Sequence, residues 1–496
     1  MDFAGGAMVE AFAEAGVSVC FTNPGTSEMH LVIALDKAAE AGRMRSILCL
    51  FEGVVTGAAD GFARMTGVPA LSLLHLGHGL ANGLANLHNA KWARVPLLNV
   101  VGDHASPLRR FLAHPAETQS SPYLGDIESF ASPVSGWTRR CRHADLAVAD
   151  AWATVRATAE PLGQVATLIV PADVAWSQPS SELHQSHQPA DLFPVRLPAA
   201  NEAAVEQVCR LLLSDGSSCL LLVGGAALLS AGLVAANRVA HTSGAGLASN
   251  NKVNAARMRR GAGTPLITPL PYYYDDIRAA IAQLAPQHLI LCGTVVPYAA
   301  FGYPEMSEAD YTSLLPEGTT VRVLASPAED PVDALERVAE RIGAPEELPP
   351  ELIAPLAPPL LPSNPSKPLS AASIGAAVAA CLPHDAIVVD EAITASGGFW
   401  AASAGAQAHD VLAVTGGSIG VGLPLALGAA VACPERRVIA LQADGSAMYT
   451  IQALWTMARE KLPVVVILLA NRSYSIFSTE LERLGLRCVS AVDEAR

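Results

Sequence analysis

Two oxygen-bearing side chains dominate the C-terminal part of this 496-residue chain: Asp444, in Ala443-Asp444-Gly445-Ser446, and Asn471, in Asn471-Arg472-Ser473-Tyr474. Both are hard ligands of the kind magnesium takes, the rest of its shell coming from phosphate and water. Gly445 lets a backbone approach a ligand closely, and a helix beginning there favours an anion. The segment between them reads as a helix of about 14 residues and a returning strand; rises of about 1.5 and 3.3 Å per residue bring the chain back to the edge it left, with Asp444 beside Asn471. Spacing alone equally allows a helix N-cap at Asp444 and a turn residue at Asn471.

A third candidate is Glu52, in Leu50-Phe51-Glu52-Gly53-Val54-Val55-Thr56-Gly57-Ala58-Ala59-Asp60-Gly61-Phe62-Ala63-Arg64. An acid between an apolar strand and a helix of small residues is unusual. A carboxyl taken out of water favours its neutral form, which can donate a proton. The alternative is an acid that complements the start of a helix.

These residues need a frame, and the pattern supplies an α/β one. Two proline-rich stretches, 176–201 and 345–368, read as surface linkers. They give domains 1–175, 195–343 and 366–496, with linkers 176–194 and 344–365. Each block alternates apolar runs with amphipathic segments, as parallel sheets covered by helices do. Strands are expected at 17–21, 70–75, 97–101, 219–223, 288–292, 386–390, 437–442 and 464–470, with a helix at 81–92. Open parallel sheets bind ligands at the carboxyl ends of their strands. The turns there are Asn23-Pro24-Gly25-Thr26, His75-Leu76-Gly77-His78-Gly79, Asp390-Glu391 and Ala443-Asp444-Gly445-Ser446.

Composition narrows the class. Hydrophobic residues are 51% and charged residues 16%, which excludes a disordered chain. A net charge of −14 argues against nucleic acid or an anionic membrane as partner. Nine scattered cysteines with no CxxC pair read as reduced thiols of a cytoplasmic protein. No basic leader is visible at the N-terminus. The uncharged run 411–433 is broken by glycines and Pro424, so it reads as a buried loop and helix and not as a membrane span.

On these motifs the chain resembles the thiamine diphosphate enzymes, in particular the acetolactate synthase and benzoylformate decarboxylase group. Asp444-Gly445 with Asn471 is similar to that family's metal–diphosphate motif, with Ala443 in place of its first glycine. The resemblance implies Asp444 and Asn471 as side-chain ligands of Mg²⁺, the carbonyl of Ser473 as a third, and Gly445, Ser446 and Tyr474 as cofactor-binding residues. Thr415-Gly416-Gly417-Ser418-Ile419-Gly420 resembles the segment that holds the aminopyrimidine: Gly417 would offer a carbonyl, and Ile419 the apolar wedge under a bent cofactor. The Glu52 run is similar to the activating-glutamate motif, and Phe21-Thr22-Asn23-Pro24-Gly25-Thr26 and Leu74–Asn82 to the family's active-site loops. That adds Gly25 and Asn82 as cofactor-binding residues, and His75 and Thr26 as groups that position protons.

The resemblance implies three doubly wound parallel-sheet domains: pyrimidine-binding, central and diphosphate-binding, the last expected to lack its final strand and helices. It also implies a homodimer or homotetramer, with the cofactor bridging two subunits. The expected activity is decarboxylation of a 2-oxo acid with carboligation to a second carbonyl. The alternatives are a non-oxidative decarboxylase and a catalytically silent regulatory paralogue. Two departures bear on this choice: His78 stands where a small residue or proline is expected, and Ala299 where the decarboxylases carry a histidine. Gly224-Gly225 after a strand is not a GxGxxG fingerprint, so FAD is unsupported.

Overall fold

The computed structural model describes residues 3–106, 126–160, 162–180, 192–250, 255–298, 302–303, 306–308, 314–359, 361 and 368–486. Ala299 lies outside them.

The N-terminal strands are β1 (Val19–Asn23), β2 (Arg45–Leu48), β3 (Leu71–Leu74), β4 (Leu97–Asp103), β5 (Trp137–Arg140) and β6 (Val165–Pro171). They form one sheet in the order β2-β1-β3-β4-β6-β5, and every pairing is parallel. Strands β3, β4 and β6 are buried along their whole length. That explains why they read as continuous apolar runs instead of alternating ones.

In the middle of the chain come β7 (Cys219–Val223), β8 (Gly246–Ser249), β9 (Met258–Arg260), β10 (Thr268–Pro269), β11 (His288–Cys292) and β12 (Thr320–Ala325). All except β9 make a second sheet, β10-β8-β7-β11-β12, again parallel. The third sheet uses β13 (Ala386–Glu391), β14 (His409–Ala413), β15 (Val438–Ala443) and β16 (Val464–Leu469), in the order β16-β15-β13-β14-β9. The middle segment thus lends β9 to the third sheet, where it runs antiparallel to β14. Nothing in the hydrophobic pattern announces this loan, because β9 is three residues long.

The chain divides into two compact units. The first comprises 1–196, 414–440 and 446–466, and the second 197–413, 441–445 and 467–496. In the first, helix Glu52–Thr66 is buried along almost its whole length and packs on helix Gly422–Ala432. Small residues make the approach possible. A Cβ on Gly61 would sit 2.8 Å from Leu425 Cα, and one on Gly57 2.5 Å from Pro424 Cβ. The 11-residue helix Gly422–Ala432 accounts for the uncharged run; among the described residues no helix is long and apolar enough to cross a membrane.

The helix expected after Asp444 is interrupted. One short turn, Asp444–Ala447, is followed by irregular chain and then helix Ala453–Arg459. In the gap Tyr449, Thr450 and Ala453 bond to carbonyls three residues back, and the Thr450 hydroxyl donates to the Gly420 carbonyl at 2.7 Å. These bonds replace the i→i−4 ladder. A four-residue turn carries little macrodipole, so the anion argument from a long helix does not hold.

Six of the eight described cysteines are buried, and all eight are free thiols. Burial pushes Cys49 and Cys141 up to about 12, which leaves them poor nucleophiles.

Candidate active site

In the first unit, β3 ends at Leu74 and helix Leu76–Ala93 begins beyond it, with Leu76 in the left-handed region at φ 55°. This turn and the end of β1 bring Gly25 and His75 together. A Cβ on Gly25 would lie 2.6 Å from the Cγ of His75, so the imidazole packs directly on the glycine backbone. Thr26 starts the adjoining 3₁₀ turn and is exposed. His78 is exposed too, its ring 4.7 Å from that of His75 in an edge-on arrangement.

The same turn contains a residue that the motifs did not single out. Glu28 is fully buried; its Oε2 accepts the Gly25 N–H at 2.9 Å and lies 2.7 Å from His75 Nδ1. Its Oε1 is buried with no hydrogen-bond partner among the described residues. Gly102 makes room for it, since a Cβ there would come 2.8 Å from Glu28 Cγ. A carboxylate at Nδ1 fixes the ring's orientation and tautomer. The sequence signal was present, an acid closely following Thr26 in a strand-end turn, but its partner is distant in sequence.

Glu52 opens helix Glu52–Thr66 and is 6% exposed. Its Oε2 accepts from Asn82 Nδ2 at 3.1 Å. Its Oε1 makes no hydrogen bond to any described residue, and it lies above Gly79, where a Cβ would stand 3.0 Å away. Gly83 makes similar room: a Cβ there would meet Thr56 Cγ2 at 2.9 Å. One carboxylate oxygen is therefore held and the other is free to meet a ligand.

A chain of amides ties this helix to the Thr415–Gly420 turn. Asn86 Nδ2 donates to the Gly53 carbonyl at 2.7 Å, and Asn89 Nδ2 donates to Asn86 Oδ1 at 3.2 Å and to the Ser418 carbonyl at 2.7 Å. Asn89 Oδ1 accepts from the Gly416 and Ser418 amides at 3.1 and 3.2 Å. Thr415 donates to the Asn89 carbonyl at 2.7 Å, and Arg64, paired with buried Asp60, donates to the Thr415 hydroxyl at 3.0 Å. Burial pushes the Asp60 carboxyl up while Arg64 opposes it. Gly417 is exposed at φ 76° with open space around it, a conformation suited to glycine. Ile419 is half-buried beside it.

In the second unit, Asp444 and Asn471 are adjacent at the ends of neighbouring strands β15 and β16. Asp444 Oδ2 accepts the Arg472 amide at 2.9 Å, and its Oδ1 accepts from Gly445 at 3.0 Å. Asn471 Oδ1 accepts the Ser473 amide at 3.0 Å, and its Nδ2 donates to Ser475 at 2.7 Å. Arg472, at φ 55°, turns the chain so that Ser473 follows closely. Gly445 is exposed with open space about its Cα. Tyr474 stacks on Phe477 with centroids 4.4 Å apart; Ser446, which is buried, belongs to the first unit. Each carboxylate oxygen retains a lone pair beyond its backbone bond. A carboxylate, a carboxamide and a nearby carbonyl form a donor set for a hard divalent cation. No cluster of three or more His, Cys, Asp or Glu occurs among the described residues, so a metal here would depend on phosphate and water for the rest of its shell. Within the first unit, the free Glu52 oxygen and the open Gly417 backbone suit a heteroaromatic amine; within the second, the oxygen donor set suits a hard cation carried by phosphate.

Comparison with known proteins agrees. Residues 4–122 match the thiamine pyrophosphate enzyme N-terminal TPP binding domain, and residues 392–494 its C-terminal TPP binding domain. A Mycobacterium tuberculosis chain named "Putative acetolactate synthase large subunit IlvX" is 44% identical over 481 residues, covering 97% of this chain and 86% of that one. Benzoylformate decarboxylase of Pseudomonas aeruginosa is 29% identical over 488 residues, covering 94% and 86%. Among solved structures, the thiamine diphosphate-dependent 4-hydroxybenzoylformate decarboxylase of Rhodococcus jostii RHA1 superposes with a TM-score of 0.81 at 22% identity, covering 99% of this chain and 90% of that one. Benzoylformate decarboxylase from Polynucleobacter necessarius gives 0.76 at 18%, covering 99% and 90%. The chain belongs to the thiamine pyrophosphate enzyme family.

Proposed function

We propose that this protein binds thiamine diphosphate with Mg²⁺, decarboxylates a 2-oxo acid and joins the remaining fragment to a second carbonyl compound. The observation that carries the reading is Glu52: a nearly buried carboxylate with one oxygen held by Asn82 and the other unclaimed. The cofactor, when bound, supplies a nucleophilic carbon and an electron sink for decarboxylation. Glu52 exchanges a proton with a ring nitrogen of the aminopyrimidine, Gly417 offers its carbonyl to the exocyclic amine, and Ile419 supports the bend. Asp444, Asn471 and the Ser473 carbonyl hold the cation, and Gly445, Ser446 and Tyr474 line the diphosphate end. Gly25 and Asn82 shape the pyrimidine end, and His75 and Thr26 position protons near the substrate. In this reading residues 1–175, 195–343 and 366–496 are the pyrimidine-binding, central and diphosphate-binding domains. The active form is a homodimer or homotetramer in the cytoplasm.

A second reading, release of the aldehyde without carboligation, draws on the Glu28–His75 pair, which holds an imidazole where it can deliver a proton. A panel of 2-oxo acids, assayed for carbon dioxide, aldehyde and 2-hydroxy ketone or acetolactate-type products, separates the two. Glu52→Gln tests both. It is expected to keep cofactor binding and lower deuterium exchange at the cofactor's reactive carbon by about 10²–10⁴-fold, the range for a general acid–base group. Unchanged exchange by NMR removes Glu52 from this role. A thermal shift with thiamine diphosphate and Mg²⁺ is expected to be positive; no shift at saturation favours a catalytically silent paralogue.

A further inference from the structure

The second unit contains a cavity that shares no residue with the candidate active site. It measures about 380 Å³ and opens where β8, β9, β10 and the turn 261–267 meet helix Ser230–Ser243, the chain at Ala354 and helix Ser396–Ala402. Ligand pockets run to about 300–1,000 Å³, so this one suits a small molecule. Leu247, Met258, Pro265, Leu266, Ile267 and Trp400 supply the apolar part of its walls, slightly more than the polar part.

The charged residues in the lining are arginines alone. Arg259 and Arg260 line the cavity; Arg257 precedes them outside it, and two carboxylates serve Arg257 and Arg259: Asp410 lies 3.0 Å from Arg257 and 3.6 Å from Arg259, and Asp385 lies 2.6 Å from Arg259. Arg260 pairs with no carboxylate among the described residues. Its Nε donates to the Ser403 hydroxyl at 2.8 Å and its Nη2 to the Trp400 carbonyl at 2.7 Å, while the guanidinium sits 4.1 Å from the centroid of the Trp400 ring. His409, opposite Arg260 in the β9–β14 ladder, supplies no charge: burial pushes it down to about 4, and Arg260 and Arg259 act in the same direction. Burial draws the Arg260 guanidinium itself down to about 10.

A partly desolvated cation with neutral partners is costly, and an anion that joins it gains a charge-assisted, potentially bidentate bond. The apolar walls disfavour a phosphate, which needs donors on every side. The nearly buried Thr264 adds one hydroxyl to the lining. We propose that this cavity binds a small carboxylic acid with an aromatic or branched hydrocarbon body. Its carboxylate rests on Arg260 and its hydrocarbon lies between Trp400 and the Leu247–Met258 wall.

Calorimetric titration tests this with phenylacetate and 3-methylbutanoate, which lack a 2-oxo group, and with phenylacetamide as uncharged counterpart. The protein is the full chain supplied with thiamine diphosphate and Mg²⁺. Saturable binding of at least one acid is expected. Phenylacetamide should bind about tenfold or more weaker, and so should the acids to Arg260→Gln, as loss of a charged hydrogen bond implies. Because Arg260→Gln also loses bonds to Ser403 and Trp400, Leu266→Trp provides a second variant. Leu266 is exposed at the cavity mouth, so the indole fills the space without touching those bonds; it should abolish binding. His75→Ala should leave binding unchanged. Absence of binding by both acids, equal affinity for acid and amide, binding that survives Arg260→Gln and Leu266→Trp, or binding lost in His75→Ala overturns the proposal.

Discussion

Asn89→Ala provides a demanding test of how the turn at Thr415–Gly420 is held. The Asn89 side chain is fully buried and makes four hydrogen bonds, three of them to the backbone of Gly416 and Ser418. Alanine strands two amide hydrogens, the Ser418 carbonyl and the Asn86 side-chain oxygen. A buried orphan costs about 1–3 kcal/mol, but Gly416 and Ser418 are only half-buried, so water rescues part of this. The lower end applies, and the total is about 2–4 kcal/mol, without counting the cavity left by the amide. The Thr415–Asn89 bond survives because it uses the backbone carbonyl. The turn should therefore loosen but not unfold, and the pyrimidine end of the cofactor should lose its preorganised carbonyl. Urea unfolding is expected to show the stability loss at constant m-value, and calorimetry a thiamine diphosphate affinity lower by about tenfold, equivalent to 1.4 kcal/mol. Asn89→Asp keeps the acceptor for both amides and sets a carboxylate against the Ser418 carbonyl, so it should fall between wild type and alanine. A loss below about 1 kcal/mol with unchanged cofactor affinity in Asn89→Ala would refute the amide chain as the link between these elements.

Gly61→Val should separate helices Glu52–Thr66 and Gly422–Ala432, because even a Cβ meets Leu425 Cα at 2.8 Å; overpacking of about 1–3 kcal/mol or more should appear as a lower Tm. Asp444→Ala should weaken thiamine diphosphate binding and remove its dependence on Mg²⁺, read by calorimetry with and without chelator; wild-type affinity would undo the metal assignment. His30, fully buried with both ring nitrogens unpartnered among the described residues, is pushed down to about 4 by burial. It is neutral in the fold and takes up a proton on unfolding below about pH 6.5. Its contribution is therefore present above pH 6.5 and lost as the pH falls through 4. His30→Leu should flatten the acid limb of the stability–pH curve; an identical limb would show that other groups govern it.

Much of the fold was legible because buried parallel strands leave continuous apolar runs, and β3, β4, β7, β11, β13 and β15 lie where such runs do; β16 has the same kind of run but is a half-exposed edge strand. The juxtaposition of Asp444 with Asn471 was legible for a different reason: the two residues follow neighbouring strands β15 and β16, although the connection between them is a broken helix and not the continuous one of the arithmetic. The broken helix after Asp444 was not, since the Thr450–Gly420 bond that stops it depends on a residue in another element. Glu28 and Asn89 were missed on similar grounds. Each is an ordinary polar residue locally, and its importance comes from partners far along the chain: His75 for one, Gly416 and Ser418 for the other. Arg260 is illegible in the same way, because whether an arginine has a counter-ion is decided in three dimensions.

The loan of β9 to the third sheet has a consequence for building chimaeras from this protein. A graft cut at the boundaries of the middle block would carry off Met258–Arg260 and strip β14 of its neighbour, baring a row of amides and carbonyls that invites aggregation. Swaps with a related enzyme should therefore exchange the middle block and strand β14 together. The loan also sets an order of events during synthesis: β9 leaves the ribosome long before His409–Ala413, so this seam closes late, whatever the middle sheet has already done.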